Sequence, residues 1–183
     1  MQTLSSAAEN SLAQAASALK QGGIVAFPTD TVYGLGAKYD DRRAVRRLYT
    51  VKARPAEKAI PVLVGAASDA EILAANFPPV AQALAKVFWP GALTLVLERS
   101  EKVPAVVAPG ATVALRMPAH QWLLELLQTV GPLAVSSANR SGQPPKLSAE
   151  PVRAVFGDRI DLLIDGGAAP GGERHDPAAH ARR

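Results

Sequence analysis

From Phe27 to Pro61 the chain reads FPTDTVYGLGAKYDDRRAVRRLYTVKARPAEKAIP, which places a hydroxyl-rich turn, a strongly basic helix and a Lys-x-Arg-Pro loop within thirty-five residues. Side chains of these types gather anions. Lys52 offers a mobile point charge, Arg54 a planar fork able to grip two phosphate oxygens, and Pro55 stiffens the loop that presents them. Between Lys38 and Lys58 eight basic residues face only Asp40, Asp41 and Glu57, a local charge of +5 in a chain whose net charge is +4. Clustered positive charge raises the local concentration of a polyanion, so a nucleotide or RNA is the expected partner. Taken alone, Arg42, Arg43, Arg46 and Arg47 fit a solvated helix face equally well. Thr29, Asp30 and Thr31 follow a proline at a strand end, where their side chains can converge on a ligand or simply cap a turn.

Other chemistries find less support. Gly34 to Lys38 has glycines and a lysine but neither the spacing of a P-loop nor that of a dinucleotide fingerprint. A nucleotide would therefore be held by hydroxyls, guanidinium groups and amides exposed in glycine-rich turns. Ser136 and Ser137 sit in no GxSxG elbow, and His120 has no evident acid partner, which argues against acyl-enzyme chemistry. The chain has no cysteine, which excludes disulfides, thiolate catalysis and the common zinc frameworks. Three scattered histidines, His120, His175 and His180, suggest no metal site. Nothing resembles a membrane span or a signal peptide, so a soluble, cytoplasmic protein is expected.

These residues must be positioned by a core, and 183 residues with 48% apolar content suffice for one domain. Ser6 to Glu9 reads as a capping box ahead of an alanine-rich helix that stops at Gly22-Gly23. Ile24 to Phe27 is a buried strand, after which the glycines of TDTVYGLGA are expected to turn the chain. Asp40 or Asp41 caps a helix reaching about Tyr49. Further strands are expected at Ile60–Val64, Leu93–Leu97, Thr112–Arg116, Leu133–Ser136 and Asp161–Ile164. Helices are expected from a second capping box at Ser68–Glu71 to about Asn76, then at Pro79–Phe88, Ala119–Val130 and Ala149–Phe156. About six strands interleaved with about six helices make a single α/β domain, and the alternation by itself suggests a parallel doubly wound sheet.

PTDTVYGLG followed by KARP resembles the opening signature of the YrdC-like L-threonylcarbamoyladenylate synthases, and three later blocks agree: WPGALTLVL at 89–97, TVALRMPAH at 112–120 and SSANRSG at 136–142. The resemblance covers roughly residues 10 to 172 and implies a twisted mixed sheet with flanking helices around a concave basic surface. It implies roles in ATP binding for Arg54, Lys58, Thr112, Ser137 and the backbone at Val135, and a phosphate-ligand role in catalysis for Lys52 beside Arg54. L-Threonine would meet Thr31 and, through its carboxylate, Arg116; Tyr33 would wall the pocket, Gly34 and Gly36 would allow close backbone approach, and Asn139 would hold its loop in shape. The WPG segment has the structural job of a turn into a core strand.

The implied activity joins L-threonine, bicarbonate and ATP into threonylcarbamoyl-AMP and pyrophosphate. A Mg²⁺ ion would ride on the nucleotide, with no metal cage in the protein, and the product would pass to a threonylcarbamoyl transferase that modifies tRNA. The other reading is a non-catalytic module that grips tRNA or double-stranded RNA with the basic face from Lys38 to Lys58. Thr31, Thr112 and Ser137 are useful only to the first, and 5% aromatic content is low for a stacking platform. Two departures stand out: Pro145 replaces a serine that some members direct at the nucleotide, and after Gly172 the chain reads GERHDPAAHARR in place of the usual Ser-Thr-Val segment. Residues 1–172 are thus expected to form the domain and 173–183 an atypical, disordered tail.

Overall fold

The computed structural model describes residues 1–171. The tail at 173–183 lies outside the described residues. Along the described chain run β1 (Gln2–Ser5), α1 (Ser11–Lys20), β2 (Val25–Phe27), β3 (Gly34–Lys38), α2 (Arg42–Lys52), β4 (Val62–Leu63), α3 (Ala67–Leu73) and α4 (Pro79–Phe88). They are followed by β5 (Leu95–Glu98), β6 (Thr112–Arg116), α5 (Gln121–Val130), β7 (Leu133–Ser137), α6 (Ala149–Phe156) and β8 (Leu162–Asp165). The eight strands form one sheet in the order β1-β8-β2-β3-β7-β4-β6-β5. Pairs β1/β8, β8/β2 and β4/β6 are parallel, and β2/β3, β3/β7, β7/β4 and β5/β6 antiparallel. The α/β domain is therefore built on a mixed sheet, and the purely parallel arrangement suggested by the alternation alone is not what forms.

Alternation along the strands sends side chains to two cores. Val25, Phe27, Leu133, Val135, Leu162 and Ile164 meet Ala15, Ala16 and Leu19 of α1 and Leu123, Leu126, Leu127 and Val130 of α5. Their neighbours Ala26, Leu35, Ala37, Ala134 and Leu163 face the other way, against Ala44, Val45 and Leu48 of α2 and Val152 and Phe156 of α6. Every central strand is thus covered on both faces, which is why the sequence shows short apolar runs in place of clean polar alternation.

The largest departure from the sequence expectation is β3. Its glycines do not turn the chain; they lie inside a strand paired Phe27↔Gly34 and Val25↔Gly36 on one side and Gly34↔Ser137 and Gly36↔Val135 on the other. A Cβ on Gly36 would stand 2.7 Å from the Phe27 ring, and one on Gly34 would stand 2.9 Å from Val135 Cγ1. The ring and the valine cross over space that side chains on β3 would fill, so the glycines answer to core packing. β1 also escaped the reading, its four residues being too short and too exposed to carry a pattern.

Helix starts follow local chemistry, with two corrections. Asp41 caps α2 as expected, its carboxylate accepting from the amides of Arg43 and Ala44 at 2.9 Å. The capping box at Ser6–Glu9 does not form: α1 starts at Ser11, and Ser6 contributes only its carbonyl, which accepts from Ser11 Oγ at 2.9 Å. The box at Ser68–Glu71 is replaced by Asp69, whose carboxylate accepts from the amides of Gly65 and Ala66 and starts α3 one residue earlier. Among the described residues no helix is long and apolar enough to cross a membrane.

Replacing Gly36 by alanine should push the buried Phe27 ring aside and cost about 2 kcal/mol of stability, read as a lower denaturant midpoint. An unchanged midpoint would mean that β3 tolerates side chains on that face.

Candidate functional site

The turn between β2 and β3 is built by one hydroxyl. Thr29 Oγ1 donates to the carbonyl of Val32 at 2.7 Å and accepts from the amides of Thr31 and Val32 at 3.1 and 3.2 Å. Thr29 is buried by this work, whereas Thr31 keeps its hydroxyl 3.0 Å from Thr29 Oγ1 and partly open. The turn-capping reading of this tripeptide therefore holds for Thr29, while Thr31 keeps a hydroxyl that is not fully used by the turn. Asp30 points to Arg116 at the end of β6 and forms a largely buried ion pair at 2.6 Å. Arg116 is further held through Nε to the carbonyl of Gly91 at 3.0 Å and lies 3.4 Å from Thr31 Oγ1. The WPG segment thus does more than start a strand, because its glycine carbonyl aims this guanidinium.

The Lys-x-Arg-Pro segment enters from another side. α2 ends at Lys52, and Ala53 adopts a left-handed conformation with φ 50° that redirects the chain. Arg54 then donates from Nε to the carbonyl of Lys58 at 3.0 Å and from Nη2 to that of Ala59 at 2.7 Å, bracing its own loop. Tyr49 donates to the same Lys58 carbonyl at 2.9 Å. β7, paired with β3, brings Val135, Ser136 and Ser137 alongside.

These pieces enclose one cleft of about 280 Å³, lined by Thr29, Thr31, Val32, Gly34, Arg54, Pro61, Leu63, Thr94, Arg116, Val135, Ser136 and Ser137. Of the residues singled out in the sequence, the fold brings Thr31, Arg54, Arg116, Val135 and Ser137 together here. Lys58 is exposed and its side chain is not among the lining, and Thr112 lies at the opposite end of β6 from Arg116, exposed and paired with Glu98. Thr94, Pro61 and Leu63 were not singled out; Thr94 could have been found from its place after the WPG turn, whereas the two apolar residues carry no signal apart from the fold.

Three expectations are corrected by geometry. Lys52 is not on a loop: it is the last residue of α2, 1% exposed, and its ammonium donates to the carbonyls of Ser137 and Asn139. Burial, followed by the charge of Arg54, lowers its pKa to about 8. Tyr33 does not wall the cleft; it is fully buried, and its hydroxyl donates to the carbonyl of Gly167 at 2.7 Å and accepts from the amide of Gly166 at 3.2 Å. Burial, opposed by that Gly166 bond and aided by the charge of Asp165, pushes its phenol above the usual value. The basic helix face is divided: Arg47 is bound to Asp161 at 2.5 Å and to the carbonyl of Arg159, and Lys38 donates to the carbonyl of Val130 at 2.5 Å. Asn139 does hold its loop, donating to the carbonyls of Arg140 and Gln143 at 2.8 and 2.7 Å.

The fold is thus a mixed α/β sheet whose strand ends and loops bring guanidinium groups and hydroxyls to one cleft. Comparison with known proteins gives that fold a family. The chain belongs to the Sua5, YciO and YrdC family, whose model, described as Telomere recombination, matches residues 17–176. The threonylcarbamoyl-AMP synthase of Coxiella burnetii (strain RSA 493 / Nine Mile phase I) is 37% identical over 171 residues, covering 91% of this chain and 89% of that protein. That of Pyrococcus abyssi is 47% identical over 155 residues, covering 84% of this chain but 46% of the relative, so the chain spans about half of that longer protein. The crystal structure of P. abyssi Sua5 complexed with L-threonine superposes with a TM-score of 0.84 at 46% identity, covering 86% of this chain and 47% of that one. E. coli YciO, at 24% identity and TM-score 0.81 over 91% of this chain and 82% of that one, shares the fold.

Replacing Asp30 by alanine should leave the Arg116 guanidinium buried without its carboxylate and cost about 3 kcal/mol, measured by chemical denaturation. A loss below about 1 kcal/mol would mean that Arg116 behaves as a solvated surface cation.

Proposed function

We propose that this chain is a threonylcarbamoyl-AMP synthase, joining L-threonine, bicarbonate and ATP with release of pyrophosphate for the modification of tRNA. The observation that carries the reading is the convergence of Thr31 and Arg116 with Arg54 and Ser137 in one cleft. The names of the relatives, among them one of nearly the same length, support it.

The chemistry needs no covalent nucleophile from the protein. The amine of L-threonine attacks bicarbonate with loss of water to give a carbamate; a carbamate oxygen then attacks the α-phosphorus of ATP and the bond to pyrophosphate breaks. The protein's task is to align these partners and stabilise charge. Thr31 Oγ1 and the free donors of Arg116 would receive the hydroxyl and carboxylate of the amino acid. Because Asp30 already balances Arg116, that site would prefer a ligand carrying both charges, as an amino acid does, over a simple anion. Arg54, already anchored through Nε and Nη2, would offer Nη1 to the phosphates without having to order itself. Ser137 and the backbone at Val135 would complete the nucleotide side. A cleft of about 280 Å³ would take the amino acid and the phosphates and leave the adenosine over the rim, on the side where Arg54 meets the backbone of the exposed Lys58. Magnesium belongs to this scheme as part of the substrate, bound to the phosphates of ATP, and the product would pass to a separate threonylcarbamoyl transferase.

A second surface reading is compatible. Arg42, Arg43 and Arg46 are exposed and form no ion pair among the described residues. They would suit the phosphate backbone of tRNA or double-stranded RNA.

Pyrophosphate release from ATP and bicarbonate should depend on L-threonine and fall about a hundredfold or more in Arg54→Ala. Release without threonine, or equal release by the variant, would overturn the assignment. Changing Arg42, Arg43 and Arg46 to glutamine should leave that rate intact while lowering the salt slope of RNA retention by about three; an unchanged slope would remove the second reading.

A further inference from the structure

Lys52 is the only lysine, arginine, aspartate or glutamate that is buried among the described residues. Its ammonium donates to the carbonyls of Ser137 and Asn139, the latter at 2.6 Å, and its own carbonyl accepts from the amide of Ser141 at 2.9 Å. One residue therefore braces the 137–141 loop at three points. No carboxylate lies within ion-pair reach of it among the described residues. Burying an ammonium against carbonyls alone is costly, but an apolar side chain in its place would leave those carbonyls unpaired. The charge is therefore tied to the position of that loop.

What it touches supplies the reason. Ser137 ends β7 and lines the cleft with Val135 and Ser136, and two residues beyond Lys52 the chain delivers Arg54 to the same cleft. We propose that Lys52 is a positioning residue for the nucleotide, holding the carbonyls of Ser137 and Asn139 so that Ser137 stays set beside Arg54, with its own charge behind that wall. This rests on the nucleotide reading above. It replaces direct phosphate contact, since the ammonium is already engaged.

The groups facing Lys52 are few: Arg54 from the loop after α2, and carbonyls from the 137–141 loop. Its folded pKa of about 8 lies below the ordinary 10.5, so the cost of burying the charge is full below pH 8. Between those values the unfolded chain binds more protons, and stability rises with pH. Nucleotide affinity should move the opposite way, because the neutral amine forms weaker bonds to the carbonyls and leaves no charge behind the cleft wall. A lysine kept for structure alone would show the first trend without the second.

The test compares the full chain with Lys52→Met. Folding is followed by circular dichroism, ATP dissociation constants by calorimetry from about pH 7 to about 9.5, and KM for each substrate by pyrophosphate release. At pH 7 Lys52→Met should fold and bind ATP about tenfold more weakly, with KM for L-threonine changed less than about threefold. The chain that keeps Lys52 should lose ATP affinity several-fold across the pH range while its thermal midpoint rises, and Lys52→Met should show neither trend. Equal ATP affinity in the two proteins, equal weakening toward both substrates, or the same pH dependence in both overturns the inference. If Lys52→Met does not fold, the titration of the Lys52-bearing chain decides, a flat ATP affinity counting against it. Failure of the unaltered chain to bind ATP would sink the nucleotide reading and this inference with it, an outcome distinct from equal binding by both.

Discussion

The cleft depends on how closely β3 lies between β2 and β7. Three antiparallel strands meet there, and the side chains that cross the middle one are the Phe27 ring and Val135. Without Cβ atoms on Gly34 and Gly36, β3 can sit beneath them, and two consequences follow. The turn carrying Thr29, Asp30 and Thr31 stays tight at one end of β2, and the end of β7 is drawn beside it. A larger residue in the middle strand would separate the Thr31 side of the cleft from the Ser137 side.

Charge in this protein is divided between internal bracing and open surface. Lys52 holds the 137–141 loop, Lys38 meets the end of α5, Arg47 reaches Asp161, and Arg116 is fixed by Asp30 and Gly91. Arg54 stands between the two groups, anchored on one side and open on the other. Preorganisation of this kind lets a guanidinium meet a ligand with little further ordering, at the expense of the strong field that eight unpaired cations would have produced. Among the described residues only Arg42, Arg43 and Arg46 of the basic helix face are without an ion pair, and they lie on the exposed side of α2.

Much of the fold was legible because its signals are local. The helices at Pro79–Phe88 and Ala149–Phe156 and the strand at Thr112–Arg116 appear with the bounds the apolar spacing gave, and Asp41 caps where a capping residue should. Errors arose where a local rule had a competitor. Glycines read as a turn serve a packed strand, Ser68 lost its cap to Asp69 while α1 begins beyond Ser6 with no side-chain cap, and Tyr33, whose aromatic ring suits a pocket wall, was drawn inward by a pair of bonds to the 166–167 loop.

The sequence by itself determined the helices, most of the strands and the residue types available to the cleft, since periodicity, capping chemistry and the spacing of the motif blocks act over a few residues. Tertiary structure alone decided strand direction and which cations remained free. Those depend on partners far along the chain: Arg116 finds Asp30, Arg47 finds Asp161, and Lys52 finds carbonyls beyond residue 136. A lysine in a motif and a lysine under a loop are the same letter, and only burial separates a charge offered to a ligand from one that holds the wall behind it.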